Sequence, residues 1–377
     1  MAPEPDLDRW RLPLDGDDRA ALECRGLVKR FGRVPAVEEL NLTVRPGQVL
    51  ALLGPSGCGK TTALRLIAGF EQADAGTITL RGRLVCSPGK VIPPEKRQVG
   101  MVFQEGALFP HLTVDQNISY GLPRTHRRNG KTEEMLALIG LRGLGHRMPH
   151  ELSGGQQQRV ALGRALAPEP DVLLLDEPFS NLDLKLREQV RHDVMQIVRA
   201  SGATAIFVTH DQEEALLVGD MVAVMNQGRV LQIGSPEDIF HNPASRFVAQ
   251  FIGTVDFLPA WRDGDKLMTE VGSAAWSFPT DPAQTPKISE EIALPGLEVM
   301  VRPDCLECYL SEQGGGVITE REFQGAFYLY RVTLQSGRSV RCLASHTSRY
   351  PVGQLVEVAL RPGHPLRPFI DQRAVDT

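Results

Sequence analysis

Residues 49–62 read VLALLGPSGCGKTT. An apolar run, VLALLG, has the length and composition of a buried strand, and a helical pattern begins after Lys60. Between them, GPSGCGKT (54–61) satisfies every fixed position of G-x-x-x-x-G-K-[ST]. A strand before that pattern and a helix after it is the context a phosphate-binding loop requires. Gly54, Gly57 and Gly59 let the backbone wrap closely, with Pro55, Ser56 and Cys58 between them, so that peptide N–H groups point at phosphate oxygens. The helix N-terminus adds its positive dipole end. Lys60 is placed to reach the β- and γ-phosphates of ATP. Thr61 is placed to ligate Mg²⁺, with Thr62 beside it.

Two further apolar runs follow the same logic. VLLLDEP (172–178) and AIFVTHD (205–211) read as buried strands ending in polar residues. Helices are expected after Lys60, Ser153, Leu182 and Asp211, with a mostly helical insert between Gln104 and Ser153 that includes KTEEMLALIGL (131–141). Strands alternating with helices from residue 21 to about 240 predict an α/β domain. Asp176 ends its strand where a carboxylate can hold Mg²⁺, directly or through water. Glu177 follows it and can act as general base on the attacking water or orient it. His210 ends the next strand, where an imidazole can approach the γ-phosphate. Gln104, in MVFQ, also ends a strand and can contact Mg²⁺ or that water. Phe31, in KRFG, can stack on adenine or serve the core.

A second glycine pair stands far downstream, in LSGGQQQ (152–158), ahead of another helical pattern. Gly54–Thr61 already accounts for wrapping one triphosphate, so the second pair asks for a different partner.

The bulk composition narrows the alternatives. The 377 residues allow two or three domains, and the formal net charge is −5. There is no basic excess to neutralise a nucleic-acid backbone. No apolar run approaches the roughly 20 residues that span a bilayer. MAPEPDLDRWRLPLDGDD has no signal-peptide pattern, so residues 1–20 are expected to be a flexible tail on a soluble, intracellular chain. After about residue 245 turn signals become dense, and LEVMVR (297–302), AFYLYRVTL (326–334) and QLVEVAL (354–360) predict a small all-β barrel or pair of barrels. Residues 250–377 carry twelve basic against sixteen acidic side chains, which opposes oligonucleotide binding. Six cysteines are too few for a disulfide scaffold. Cys305, Cys308, Cys342 and His346 have spacings that can hold zinc, but CLECYL alternates like a strand, which favours a structural reading.

Together these residues resemble the ATP-binding subunits of ABC transporters, over about residues 21–250. GPSGCGKT resembles that family's Walker A motif, VLLLDE its Walker B and LSGGQQQ its signature. Gln104 matches the Q-loop, SNLD (180–183) the D-loop, His210 the switch histidine and Phe31 the adenine-stacking position; Asn181 is a departure, where many relatives carry alanine. The resemblance implies that two chains dock head to tail. Ser153, Gly154, Gly155 and Gln156 of one chain, with Asp183, then cover ATP on the phosphate loop of the other. The implied fold is a phosphate-loop ABC ATPase domain with a helical subdomain (21–245), followed by a smaller OB/TOBE-like all-β regulatory domain (246–377). The second assignment rests on GSPEDIFHNPASRFVAQFIG (234–253), VRPD (301–304) and the strand pattern.

The implied activity is ATP hydrolysis coupled to import, with ATP and Mg²⁺ as cofactors. The implied partners are a second copy, transmembrane permease subunits and, through them, a periplasmic or lipoprotein solute-binding protein. The chain would sit peripherally on the cytoplasmic face of the inner membrane. QEGALFPHLTV (104–114) and FIGTVDFLPA (251–260) look most like ferric-iron importers, with sulfate, molybdate and polyamine importers as alternatives. The insert is too short for the coiled coil of a chromosome or DNA-repair ATPase. A tandem-cassette translation factor would need two cassettes, and a phosphate-loop kinase or GTPase would lack LSGGQ. A soluble ABC ATPase not tied to transport is the reading from a different class.

Overall fold

The computed structural model describes residues 19–104, 108–123, 130–180, 184–264, 266–275, 296–364 and 366–375. Two units divide between Pro236 and Glu237. In the first, β1 (Leu22–Phe31) and β2 (Val34–Val44) precede β3 (Val49–Leu53), which runs into the phosphate loop. After the helix Lys60–Ala68 come β4 (Ala75–Leu80), β5 (Arg83–Ser87) and β6 (Lys90–Val91). Then β7 (Val99–Val102), β8 (Val172–Asp176), β9 (Ala205–Thr209) and β10 (Met221–Asn226) alternate with helices, and β11 (Arg229–Gly234) pairs back on β10.

The order β11-β10-β3-β9-β8-β7 makes one sheet, parallel throughout except at β11. Its central strands are continuous apolar runs because both faces are buried. Leu50, Leu52, Val172, Leu174, Ile206 and Val208 point into a core shared with the antiparallel sheet β2-β1-β4-β5-β6. Val49, Leu173, Leu175, Ala205 and Phe207 point the other way, into a core built with the helices. Side chains alternate across a strand, so one run supplies both cores.

The helices expected from sequence are present as Lys60–Ala68, Gly154–Leu166, Leu184–Ser201 and Gln212–Val218. The insert holds Val114–Ile118 and Lys131–Leu138 as further helices.

One buried side chain secures the helix that carries the phosphate loop. Arg97 is 1% exposed. It donates to Leu66 O (2.7 Å) and Ile67 O (2.8 Å) at the end of Lys60–Ala68, and to Ile92 O (2.6 Å). A cation on the terminal carbonyls of a helix satisfies orphan acceptors and the negative dipole end. Gly69 ends the same helix at φ 90°, and a Cβ there would lie 2.5 Å from Arg97 Nε.

In the second unit, the helix Arg246–Ile252 leads into strands. These are β12 (Asp256–Asp263), β13 (Lys266–Thr269), β14 (Gly272–Ala275), β15 (Glu298–Val301), β16 (Leu306–Leu310), β17 (Gly316–Phe323) and β18 (Phe327–Leu334), then β19 (Ser339–Ser345), β20 (Leu355–Leu360), β21 (Arg367–Ile370) and β22 (Arg373–Ala374). They form two sheets, β14-β13-β12-β15-β21-β22 and β16-β20-β17-β18-β19. Leu258 and Val299 from the first share one core with Ile318, Tyr330 and Val340 from the second. Residues 1–18, the bulk of the expected tail, and Asn181–Asp183 of the expected D-loop lie outside the described residues.

Candidate nucleotide site

Adjacency in the parallel sheet explains how distant residues meet. β3, β9, β8 and β7 are neighbours and run the same way, so their C-terminal ends lie side by side. Those ends carry the phosphate loop, His210, Asp176 with Glu177, and Gln104. Ligands of open α/β sheets bind at this edge.

The loop is shaped by its glycines. Gly57 and Gly59 have φ of 78° and 108°, in the left-handed region. A Cβ on Gly59 would meet Ala36 O at 2.1 Å, and one on Gly54 would meet Met225 O at 2.2 Å. Close approach therefore demands glycine at 54 and 59. Gly54, Cys58 and Lys60 are buried, while Ser56 and Gly57 are exposed at the loop's crest. The Lys60 ammonium donates to Gly54 O (2.7 Å) and Pro55 O (3.0 Å), within the loop's own concavity.

Thr61 Oγ1 donates to Asp176 Oδ1 at 3.4 Å. Burial, and secondarily the Glu177 charge, pushes the Asp176 carboxyl above its ordinary range, against Thr61, Arg65 and Lys60. A hydroxyl and a half-buried carboxylate at this separation fit Mg²⁺, whose oxygen ligands at about 2.1 Å stand about 3 Å apart on an octahedral edge. Thr62 is half-buried beside them.

Glu177 has φ of 44°, unusual for a residue with a side chain. Its N–H donates to Val208 O (3.0 Å), and its carbonyl accepts from Ser180 Oγ (3.0 Å). So held, its carboxylate Oε2 lies 3.0 Å from His210 Nδ1. Strained backbone of this kind costs about 1–3 kcal/mol and clusters where geometry matters more than stability. His210 is exposed, its side chain half accessible to solvent.

The other expected residues make no hydrogen bond to this group among the described residues. Gln104 is exposed just beyond β7. Phe31 is 50% exposed at the end of β1, which rules out the core alternative; Lys29 Nζ lies 5.3 Å from its ring centroid. Ser153 caps the helix Gly154–Leu166 in a reciprocal pair: its Oγ accepts from Gln156 N (3.4 Å), and its N–H donates to Gln156 Oε1 (3.0 Å). Ser153 and Gly154 face solvent. Gly155 is buried, and a Cβ there would meet Val190 Cγ2 at 2.8 Å, so its glycine also serves helix packing. Among the described residues, no hydrogen bond or ion pair joins 152–158 to the phosphate loop, Asp176 or Glu177.

Sequence reasoning missed two supports of this site. Arg97 is one. Gln157 is the other: its Nε2 donates to Pro149 O (3.0 Å) and Leu152 O (3.2 Å), fixing the turn that delivers Ser153. The run of three glutamines was the only signal for Gln157, and periodicity alone does not separate its role from its neighbours'.

The model of the ABC transporter family matches residues 37–180, and that of the TOBE domain matches residues 299–366. An Fe(3+) ions import ATP-binding protein of Brucella abortus (strain 2308) is 42% identical over 319 residues, covering 83% of this chain and 87% of the relative. A spermidine/putrescine import ATP-binding protein of Pseudomonas fluorescens (strain Pf0-1) is 52% identical over 247 residues, covering 63% of this chain and 67% of the relative. Among solved structures, cbiO1 from Clostridium perfringens, described as part of the ABC transporter complex cbiONQ, is similar with a TM-score of 0.54 and 30% identity. That likeness covers 59% of this chain and 91% of the other.

Proposed function

The chain belongs to the ATP-binding import proteins of ABC transporters, and from that premise we propose that it energises ferric-iron uptake. It is an ABC importer ATPase with a smaller all-β C-terminal region of TOBE type. The observation that carries the catalytic reading is the gathering of Lys60, Thr61, Asp176, Glu177 and His210 at adjoining strand ends.

In this reading the loop from Gly54 to Thr62 wraps the triphosphate and Lys60 shifts from loop carbonyls to the β- and γ-phosphates. Thr61 and Asp176 would hold Mg²⁺, with Gln104 joining from β7, and the ion would supply charge neutralisation on the phosphates. Glu177 takes the proton of the attacking water, and His210 orients Glu177 and faces the γ-phosphate. Phe31, exposed on β1, stacks on adenine. Ser153 and Gly154 face outward in their own chain, which supports the use of the helix start Ser153–Gln156 by a second copy, with Asp183 at the same junction. A two-fold pair then has two composite sites. ATP favours the closed pair and hydrolysis releases it, biasing the permease between two states.

The functional domains are proposed as 21–245 and 246–377, with residues 1–20 as a tail. Among the described residues no helix is long and apolar enough to cross a membrane. Peripheral association with permease subunits at the cytoplasmic face of the inner membrane follows from the importer role, and a solute-binding protein delivers cargo to that permease.

Iron is favoured by the recurrence of Fe(3+) import ATP-binding proteins among the relatives, at 42–48% identity. Polyamine import is the second reading, favoured by the higher identity of the Pseudomonas protein over a shorter span and by a second polyamine import relative that is 42% identical over 330 residues. Deleting the gene should reduce uptake of labelled ferric iron and leave sulfate, molybdate and putrescine uptake unchanged. A selective putrescine defect would replace the first reading with the second.

A further inference from the structure

The second unit brings together three potential ligands that no spacing rule connects. Asp304 and Cys305 lie on the single 3₁₀ turn Pro303–Cys305, immediately before β16. His364 lies in the turn after β20. β16 and β20 are paired antiparallel from Leu306 opposite Leu360, which sets the start of one strand beside the end of the other. Arg361 N–H donates to Cys305 O at 2.9 Å and continues the register into the turn. The carboxylate, thiol and imidazole ligand atoms all lie within 4.8 Å of one another, and all three residues are half-buried.

We propose that Asp304, Cys305 and His364 bind a divalent transition-metal ion, for which Zn²⁺ matches the donor set best. One oxygen, one sulfur and one nitrogen suit a borderline-soft ion rather than Mg²⁺ or Ca²⁺. Tetrahedral zinc holds sulfur at about 2.3 Å and nitrogen or oxygen at about 2.0–2.2 Å, so its ligands stand about 3.5 Å apart. Three protein ligands leave a fourth position for water or for a residue from another molecule.

Two cations flank the group, act on its charged groups and also bond elsewhere. Arg302 donates to Phe240 O (2.8 Å), and its guanidinium lies 3.8 Å from the Phe240 ring centroid. Arg361 reaches Leu343 O (3.3 Å) and pairs with Glu307 (3.6 Å). Bound metal would clamp the turn before β16 to the turn after β20, at the open end of this sheet, and so couple the second unit's stability to metal supply. The inference does not depend on which solute is imported.

The test uses the full-length chain, stripped with a chelator and titrated with Co²⁺ as a spectroscopic probe, then with Zn²⁺. One equivalent of Co²⁺ should give a thiolate-to-cobalt charge-transfer band, which Zn²⁺ bleaches. The band should vanish in Cys305→Ser and in His364→Ala, and persist in Cys308→Ala. Zn²⁺ should raise the thermal midpoint of the wild type and leave that of both ligand variants unmoved. Absence of the band in the wild type, or its survival in either ligand variant, overturns the site; the wild-type arm stands even if a variant folds poorly.

Discussion

The parallel sheet of the first unit and the paired antiparallel sheets of the second put chemistry together in different ways. In the first, Asp176 ends a buried strand, Glu177 and His210 follow their strands directly, Lys60 follows β3 across the phosphate loop, and neighbouring parallel strands bring those ends together. Asp176, Glu177 and His210 are each readable from a strand ending in polar residues, and Lys60 from the glycine pattern that follows β3. In the second, residues next to one another in sequence alternate between core and surface. Cys308 and Cys342 are buried on β16 and β19, and burial pushes the Cys308 thiol up to about 11 and Cys342 well above its ordinary value. Proximity there is set by strand register, which sequence spacing does not reveal.

The largest expected effect tests the first mode. Glu177→Gln should bind ATP and lose roughly 10²–10⁴-fold in turnover, the usual cost of a positioned base. Steady-state phosphate release checks it, and near-normal turnover would detach the strand-end cluster from catalysis.

Arg97→Ala comes next, and it separates support from chemistry. Three carbonyls would lose their donor and a buried side chain would leave a cavity, at a cost of about 3 kcal/mol or more. Urea unfolding should show the loss; an unchanged midpoint would mean that the helix end is satisfied by other means.

Cys342→Ser tests the second mode. It places a hydroxyl in a buried, largely apolar core, which costs about 1–3 kcal/mol. The unfolding transition of the C-terminal unit should shift while its zinc-dependent change persists. Loss of the metal response in this variant would return Cys342 to the ligand set that spacing first suggested.

The smallest effect concerns Glu214, whose carboxylate accepts from Thr209 Oγ1 at 2.7 Å. Burial raises its pKa above the unfolded value. The folded chain therefore holds this proton more tightly, and the group's contribution to stability falls as pH rises through the raised value. Glu214→Gln keeps the hydrogen bond and removes that dependence. Urea midpoints should show the variant gaining on the wild type as pH rises, and parallel curves would count against the burial.

These contrasts also explain what was legible. Strands β3, β8 and β9 could be placed from apolar runs, and the helices from their starts, because each signal is local. Arg97 was not, since the helix-end carbonyls it serves lie 30 and 31 residues earlier. The glycines of LSGGQ were read as phosphate donors, and Gly155 proves also to permit contact with Val190. Cys305 was grouped with Cys308, Cys342 and His346 by spacing, whereas the structure gathers it with Asp304 and His364. His364 was missed because a turn seals its place only after β16 and β20 have paired.

On this reading the outward-facing helix start at Ser153 completes a site on a second copy. Its most direct test is the mass of the full-length Glu177→Gln chain in solution with and without MgATP, together with the nucleotide it retains. The account predicts a monomer without nucleotide and, with MgATP, a dimer holding two ATP molecules, lost again in the double variant with Ser153→Arg. A chain that binds MgATP but stays monomeric, or a dimer indifferent to Ser153→Arg, would contradict it.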